Sequence, residues 1–239
     1  MSRGRNEAHP LLQSLVQWPP DLAPRFEAGF VRNVRAHARR SLAGIPFPPS
    51  YNLEERRRSE DILSHALQSH AVVGSYRPCH GSTSHGESMS PIEEDALRAE
   101  FHLYVNQRTA FWQYGELGRE WPDGRGIFVS ADKVVIGWTN EEEHLQLLAV
   151  DHEGSIEKVC TRLWNDLGHV EAAIQGRGLS GFERHPQLGY LTANPAYIGL
   201  AFHLYCAMEL PLLTKTGDFK KLLAKHGLAY QAPQPWPRP

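Results

Sequence analysis

Three consecutive glutamates, Glu141, Glu142 and Glu143, stand between two β-like runs in this chain and are followed at once by His144. Adjacent like charges are costly unless cationic groups sit against them. A fold that places them in a short connection between strands must therefore bring such groups from elsewhere in the sequence. The surrounding segment, REWPDGRGIFVSADKVVIGWTNEEEHLQ over 119–146, reads as three strands at 126–130, 133–138 and 144–150, with Asp132-Lys133 near a tight turn.

The rest of the chain supplies helices. Leu53, Ile62, Leu63, Ala66 and Leu67 share one face of a helix predicted over about 53–70. A strand is expected at 72–76. Ser90-Pro91-Ile92-Glu93 combines a capping serine, a first-turn proline and a capping-box glutamate, predicting a helix to about 103. Ser155 opens a helix to about 174, with Ile156, Val159, Leu163, Leu167 and Val170 in register. Strands are expected near 188–192 and 200–210, and a short helix from Asp218 to Lys225 stopped by Gly227. Residues 30–44 mix arginines with small residues and receive no element. The mixture lacks strict βαβ alternation, so the fold class is α+β, a largely antiparallel sheet flanked by helices. The organisation reads as an irregular lead-in over 1–29, one domain over 30–228, and a Pro-rich tail over 229–239.

Composition narrows the function. The 239 residues carry a net charge of −2, which gives no case for a nucleic-acid surface, and no apolar run has the length of a bilayer span. Three widely spaced cysteines, Cys79, Cys160 and Cys206, form no CxxC and fit a reducing compartment, so the expected location is cytoplasmic. Among thirteen histidines, His80 and His85 lie beside Cys79 and Glu87 in CHGSTSHGE. A metal module there is one reading, although no regular zinc spacing is present. An exposed Gly/Ser-rich loop is the other.

Several segments together resemble the phosphagen (ATP:guanido) kinases, the creatine and arginine kinase family. FVRNVRAHARRSLAGIPFPP is similar to the family stretch whose Ser-Ser/Thr-Arg-Val-Arg holds nucleotide phosphates. SPIEEDALRAEFHLY resembles the segment around the adenine contact. WPDGRGIF, NEEEHLQ and LGYLTANPAYIG are similar to three further family motifs, in order and at compatible distances. The resemblance implies phosphoryl transfer between MgATP and a guanidino nitrogen, which depends on positioning and on cations that neutralise phosphate charge. It implies Glu142 as a guanidinium carboxylate and Asn33, Arg35, His37, Phe101, Gln146 and His203 as nucleotide-side positions. His102 adjoins the Phe101 position.

The substitutions fall on those positions. Arg35 keeps the first phosphate arginine, while His37, Gln146 and His203 stand where the family has arginine. Asn194 replaces the thiolate cysteine. A second guanidinium glutamate and a last arginine lie on a family segment without a visible counterpart here, and residues 1–29 show no counterpart of the family's N-terminal helical domain. The expectation is a truncated, degenerate catalytic domain: impaired in transfer, with weak or absent MgATP binding and an interaction or structural role. A partner or a second copy would cover an open sheet edge. The alternatives are an active guanidino or protein-arginine kinase and the metal module. Glu142 reads more readily as a motif retained for local structure than as a working carboxylate. Arg35 reads as a phosphate ligand or as a partner of Glu141 or Glu142. Arg125 reads as structural, His144 as the partner of a carboxylate, and Asn194 as a local backbone hydrogen bonder. Trp112, Trp121, Trp138 and Trp164 read as packing residues.

Overall fold

The computed structural model describes residues 30–69, 74–84, 86–101, 103–104 and 109–230. The expected lead-in at 1–29, His85, His102 and residues 231–239 of the tail lie outside the described residues, as does the side chain of Phe101.

Strand β1 (Val31–Arg40) is followed by helix α1 (Leu53–Gln68), β2 (Gly74–Pro78), α2 (Pro91–Phe101) and the short α3 (Ala110–Tyr114). Then come β3 (Gly126–Ser130), β4 (Val135–Thr139), β5 (Leu145–Asp151), the long α4 (Ile156–Gly176), β6 (Arg184–His185), β7 (Gly189–Tyr190), β8 (Phe202–Met208) and α5 (Phe219–Lys225). Six strands form one sheet in the order β2-β3-β4-β5-β1-β8, with every neighbouring pair antiparallel. The α+β class, the largely antiparallel sheet and the three strands expected between 126 and 150 hold. Among the described residues no helix is long and apolar enough to cross a membrane.

Local chemistry sets the helix starts. Asn52 caps α1 in a complete capping box: its side chain accepts from Glu55 N–H at 2.9 Å, and the Glu55 carboxylate accepts from Asn52 N–H at 2.8 Å. Ser155 caps α4 through Lys158 N–H. Both helices lie on one face of the sheet, where Ile62, Leu63, Leu67, Val159, Leu163, Val170 and Ile174 meet Val34, Ala36, Ala38, Leu145, Leu147 and Ala149 in the main core.

On the opposite face a second cluster, built from Cys79, Met89, Leu103 and Tyr104, packs on Ile127, Ile136, Trp138, Leu148 and Val150. This cover lies over β3, β4 and β5, and the face of β1 and β8 beside it presents polar side chains. Strand β1, to which the sequence assigned no element, occupies the place between β5 and β8.

Candidate active-site cleft

Side chains alternate across a strand, so the residues of β1 that do not face the helices share the other face. These are Asn33, Arg35, His37 and Arg39. Register brings β5 and β8 alongside: Arg39 stands opposite Gln146, while His37 stands opposite Leu148 on one side and His203 on the other. Trp138 of β4 is opposite Gln146. The sheet thereby gathers Arg35, His37, Gln146 and His203 from three strands.

The carboxylate loop, 140–144, joins β4 to β5. Asn140 sets its shape: φ is 57°, a left-handed conformation that asparagine tolerates better than most side chains. Its amide donates to the Arg56 and Gly124 carbonyls at 3.0 and 2.6 Å, and its oxygen accepts from the Ser59 hydroxyl at 3.0 Å. Arg125, wholly buried, donates through Nε to the Asn140 carbonyl at 2.9 Å and stacks on Trp121 at 4.9 Å. Its work is therefore to hold the loop.

The three glutamates diverge. Glu141 Oε2 accepts from Trp138 Nε1 at 2.8 Å and from Gln146 Nε2 at 2.6 Å. Glu143 accepts from the Ser41 hydroxyl at 2.9 Å, from Ala193 N–H at 2.8 Å and from Asn194 N–H at 3.1 Å. Burial raises the Glu143 carboxyl to about 7 despite these donors. Glu142 lies between them, 3% exposed, and its Oε2 has no hydrogen-bond partner among the described residues. Burial also raises Glu142, and the positive charge of Arg39 opposes that rise.

His144 does not join a carboxylate. Its Nδ1 accepts from Leu42 N–H at 2.9 Å, so Nε2 carries the proton donated to the Pro46 carbonyl at 3.0 Å. Complete burial lowers it to about 4, leaving a neutral strut. His37 is likewise neutral at physiological pH: burial, then the charges of Arg39 and Arg35, lower it to about 3. It sits edge-on to Trp138 and Tyr205, with ring centroids 6.0 and 5.1 Å away. His203 accepts from Arg39 Nη1 at 3.0 Å through Nδ1, and burial and that guanidinium lower its pKa. Arg35, 5% exposed, is lowered by burial to about 10 and stays cationic at neutral pH. Asn33 donates to His152 Nδ1 at 3.0 Å.

Asn194 caps the 3-10 turn Pro195–Tyr197, its side-chain oxygen accepting from Ala196 N–H at 3.1 Å. Arg39 completes the site. It is 5% exposed, its guanidinium lies 4.0 Å above the Tyr197 ring, and it reaches His203. The sequence reading passed over Arg39 and Tyr197, although the alternation Arg35, His37, Arg39 was the signal that could have found the first.

Among the described residues, which do not include His85, no three ligating side chains cluster. Cys79 is buried against the Tyr104 hydroxyl at 3.6 Å, and its thiol is raised by burial to about 12. The His80 ring bonds the Met89 carbonyl at 3.1 Å. A separate open cleft of about 350 Å³ lies between α1 and β2, beside Glu60, Tyr76 and Arg77, away from the carboxylate loop.

The family profile described as ATP:guanido phosphotransferase, C-terminal catalytic domain, matches residues 65–233. The chain belongs to this family. It is 30% identical over 205 residues to the flagellar creatine kinase of Strongylocentrotus purpuratus, covering 85% of this chain and 17% of that protein. It is 31% identical over 207 residues to a probable arginine kinase of Caenorhabditis elegans, covering 84% and 52%. A lombricine kinase crystal structure superposes with a TM-score of 0.73 at 26% identity, over 82% of this chain and 52% of that one. The duplicated taurocyamine kinase of Schistosoma mansoni, with bound transition-state-analogue components, gives 0.73 at 26% identity over 84% and 26%. The chain thus spans about half or less of the length of these relatives. The chain shares the fold of these solved structures, and His37, Gln146, His203 and Asn194 lie on one face of β1, β5 and β8 and on the turn after β7.

Proposed function

We propose that this phosphagen kinase-like domain is a catalytically impaired member of its family, with residual MgATP binding at most and an interaction or structural role. The observation that carries this reading is the charge state of the cleft. Of the four phosphate-side positions carried over from the family, Arg35 alone is a cation at neutral pH. His37 is a neutral ring held between aromatics, Gln146 is engaged with Glu141, and His203 accepts a hydrogen bond where an arginine would donate. Asn194 offers a capping amide in place of a thiolate. A hydrogen bond to a charged group contributes about 1.5–3 kcal/mol, so three such losses remove roughly 5–9 kcal/mol. Each ~1.4 kcal/mol is a tenfold factor, which places transfer several powers of ten below an intact site.

The purified chain incubated with MgATP and arginine, creatine, lombricine or taurocyamine should give no phosphorylated guanidine above background. Calorimetry should show at most millimolar MgATP affinity, further reduced in Arg35→Ala. Phosphorylated product that disappears in Glu142→Gln would overturn this reading.

One observation favours a second reading, an active kinase with a rearranged site: Arg39 brings a guanidinium between the Gln146 and His203 positions. The same assays separate the two. The proposed interaction role draws on β8, which ends the sheet order and offers its outer edge to a partner or a second copy.

A further inference from the structure

We infer that Arg39 is a resident guanidinium for Glu142: it fills with the chain's own side chain the place a small cationic guanidine would take, and so closes that end of the cleft to external guanidines. This deepens the reading above and rests on it for the identity of the cleft.

Geometry carries the assignment. Glu141 is bound to Gln146, and Gln146 is the register partner of Arg39. Glu143 is bound to Ala193 and Asn194, which lead directly into the turn whose Tyr197 lies under the Arg39 guanidinium. Glu142 is the residue between these two anchors, so the loop brings it to the same end of the cleft as Arg39. It is buried there with an oxygen that has no hydrogen-bond partner among the described residues. A buried carboxylate without a counter-charge is strongly disfavoured, and Arg39 is the cation whose charge acts on Glu142.

The way Arg39 is held resembles ligand capture rather than surface pairing. A flat guanidinium over an aromatic ring at 4.0 Å, with one edge donating to a ring nitrogen at 3.0 Å, is a stacked and hydrogen-bonded pose. Arg39 and Glu142 form no direct ion pair within 4.0 Å, and Arg39 Nε is itself buried without a hydrogen-bond partner. The guanidinium therefore neutralises the pocket and occupies it without saturating Glu142.

The test is chemical rescue without nucleotide. Arg39→Ala should leave a cavity bounded by Tyr197, His203 and Glu142 that binds methylguanidine saturably in the millimolar range. The wild-type chain should bind it at least about tenfold more weakly, and the Arg39→Ala/Glu142→Gln chain should lose the response by a similar factor, the equivalent of one charged hydrogen bond. If Arg39→Ala alone fails to fold, the double variant should fold, because it has no unpaired buried charge. Equal methylguanidine binding by wild type and Arg39→Ala would overturn the inference, as would additive stability effects of the two substitutions. Loss of MgATP affinity in Arg39→Ala matching that in Arg35→Ala, without a methylguanidine response, would assign Arg39 to phosphate instead. Phosphotransfer by the wild-type chain would remove the proposed function, while the methylguanidine response would still decide the role of Arg39.

Discussion

Three histidine and glutamate side chains in the cleft are buried in the protonation state that costs least to desolvate, and this links the site to acid stability. His37 at about 3 and His144 at about 4 lie below the ordinary value of 6.5, so between these limits the unfolded chain binds more protons than the folded one. Their stabilising contribution is fully present above about pH 6.5 and is lost as pH falls toward 4. Glu143, raised to about 7, has the opposite sign: its contribution is fully present below the ordinary carboxyl range and is lost as pH rises through about 7. Urea midpoints measured from pH 4 to pH 8 should therefore fall on both sides of a maximum. His37→Phe, which keeps a ring against Trp138 and Tyr205, should flatten the acid side, and Glu143→Gln the neutral side. A His37→Phe profile parallel to wild type would show that the ring titrates in the folded chain as it does in the unfolded one. The composition of this site was legible in the sequence at Arg35, which keeps an expected arginine, and at His37, Gln146, His203 and Asn194, each of which departs from an expected residue type. The alternation could have placed Arg39 on the same row, but not its role, which comes from Tyr197 and His203, 158 and 164 residues away, a meeting that no local spacing encodes.

At the scale of elements, the loop between β4 and β5 is where the sequence concentrates its constraints. Asn140 bonds α1 and the Gly124 turn through three side-chain contacts while holding a left-handed backbone. Asn140→Ala removes all three and adds conformational strain, and we expect it to destabilise the chain by about 3–5 kcal/mol, read from urea unfolding. Asn140→Gly relieves the strain alone and should recover about 1 kcal/mol of that loss. Equal destabilisation by the two would mean that the φ of 57° carries no strain. The strands around this loop were readable because apolar residues run through them, and α1 and α4 because caps and 3.6-residue periodicity agree. Strand β1 was not readable. Its helix-facing row is Val34, Ala36 and Ala38, small and weakly hydrophobic, and its other row is polar, with Asn33, Arg35 and Arg39 buried and His37 half-buried. Arg40 adds to the confusion: it falls on the apolar side, where the Tyr190 ring stacks on it at 3.5 Å and the Leu200 carbonyl accepts from it. The alternation from Val34 to Arg39 is present, but it is carried on the core side mainly by alanines, which are weak strand formers, so it gives little strand signal.

The whole molecule is a sheet with two unlike ends. At one end β2 is short, finishes at Pro78 and packs near α1, features that blunt an edge. At the other end β8 runs seven residues, Phe202 to Met208, pairs on one side with β1, and is half-buried along most of its length. Exposed Phe30 and Met208 extend the apolar character of that end. Among the described residues no strand pairs with the outer edge of β8, and a long edge of this kind can accept another strand. We expect the chain to associate with itself through β8, giving a mass by light scattering that rises with concentration. Ala207→Lys, a charge beside the pairing edge on the cleft face, should shift that rise to higher concentration without lowering the melting temperature of the monomer. Hydrogen exchange should report the same event as protection gained by β8 amides at high concentration. A mass fixed at the monomer over the whole range, with β8 amides already slow to exchange, would mean that the edge is covered by the chain itself. Association at β8 would also bear on the cleft, because His203 and Tyr205 lie on that strand beside His37 and Arg39. A partner strand that steadies β8 should therefore tighten methylguanidine binding by Arg39→Ala as protein concentration rises, a coupling that calorimetry at two protein concentrations can read.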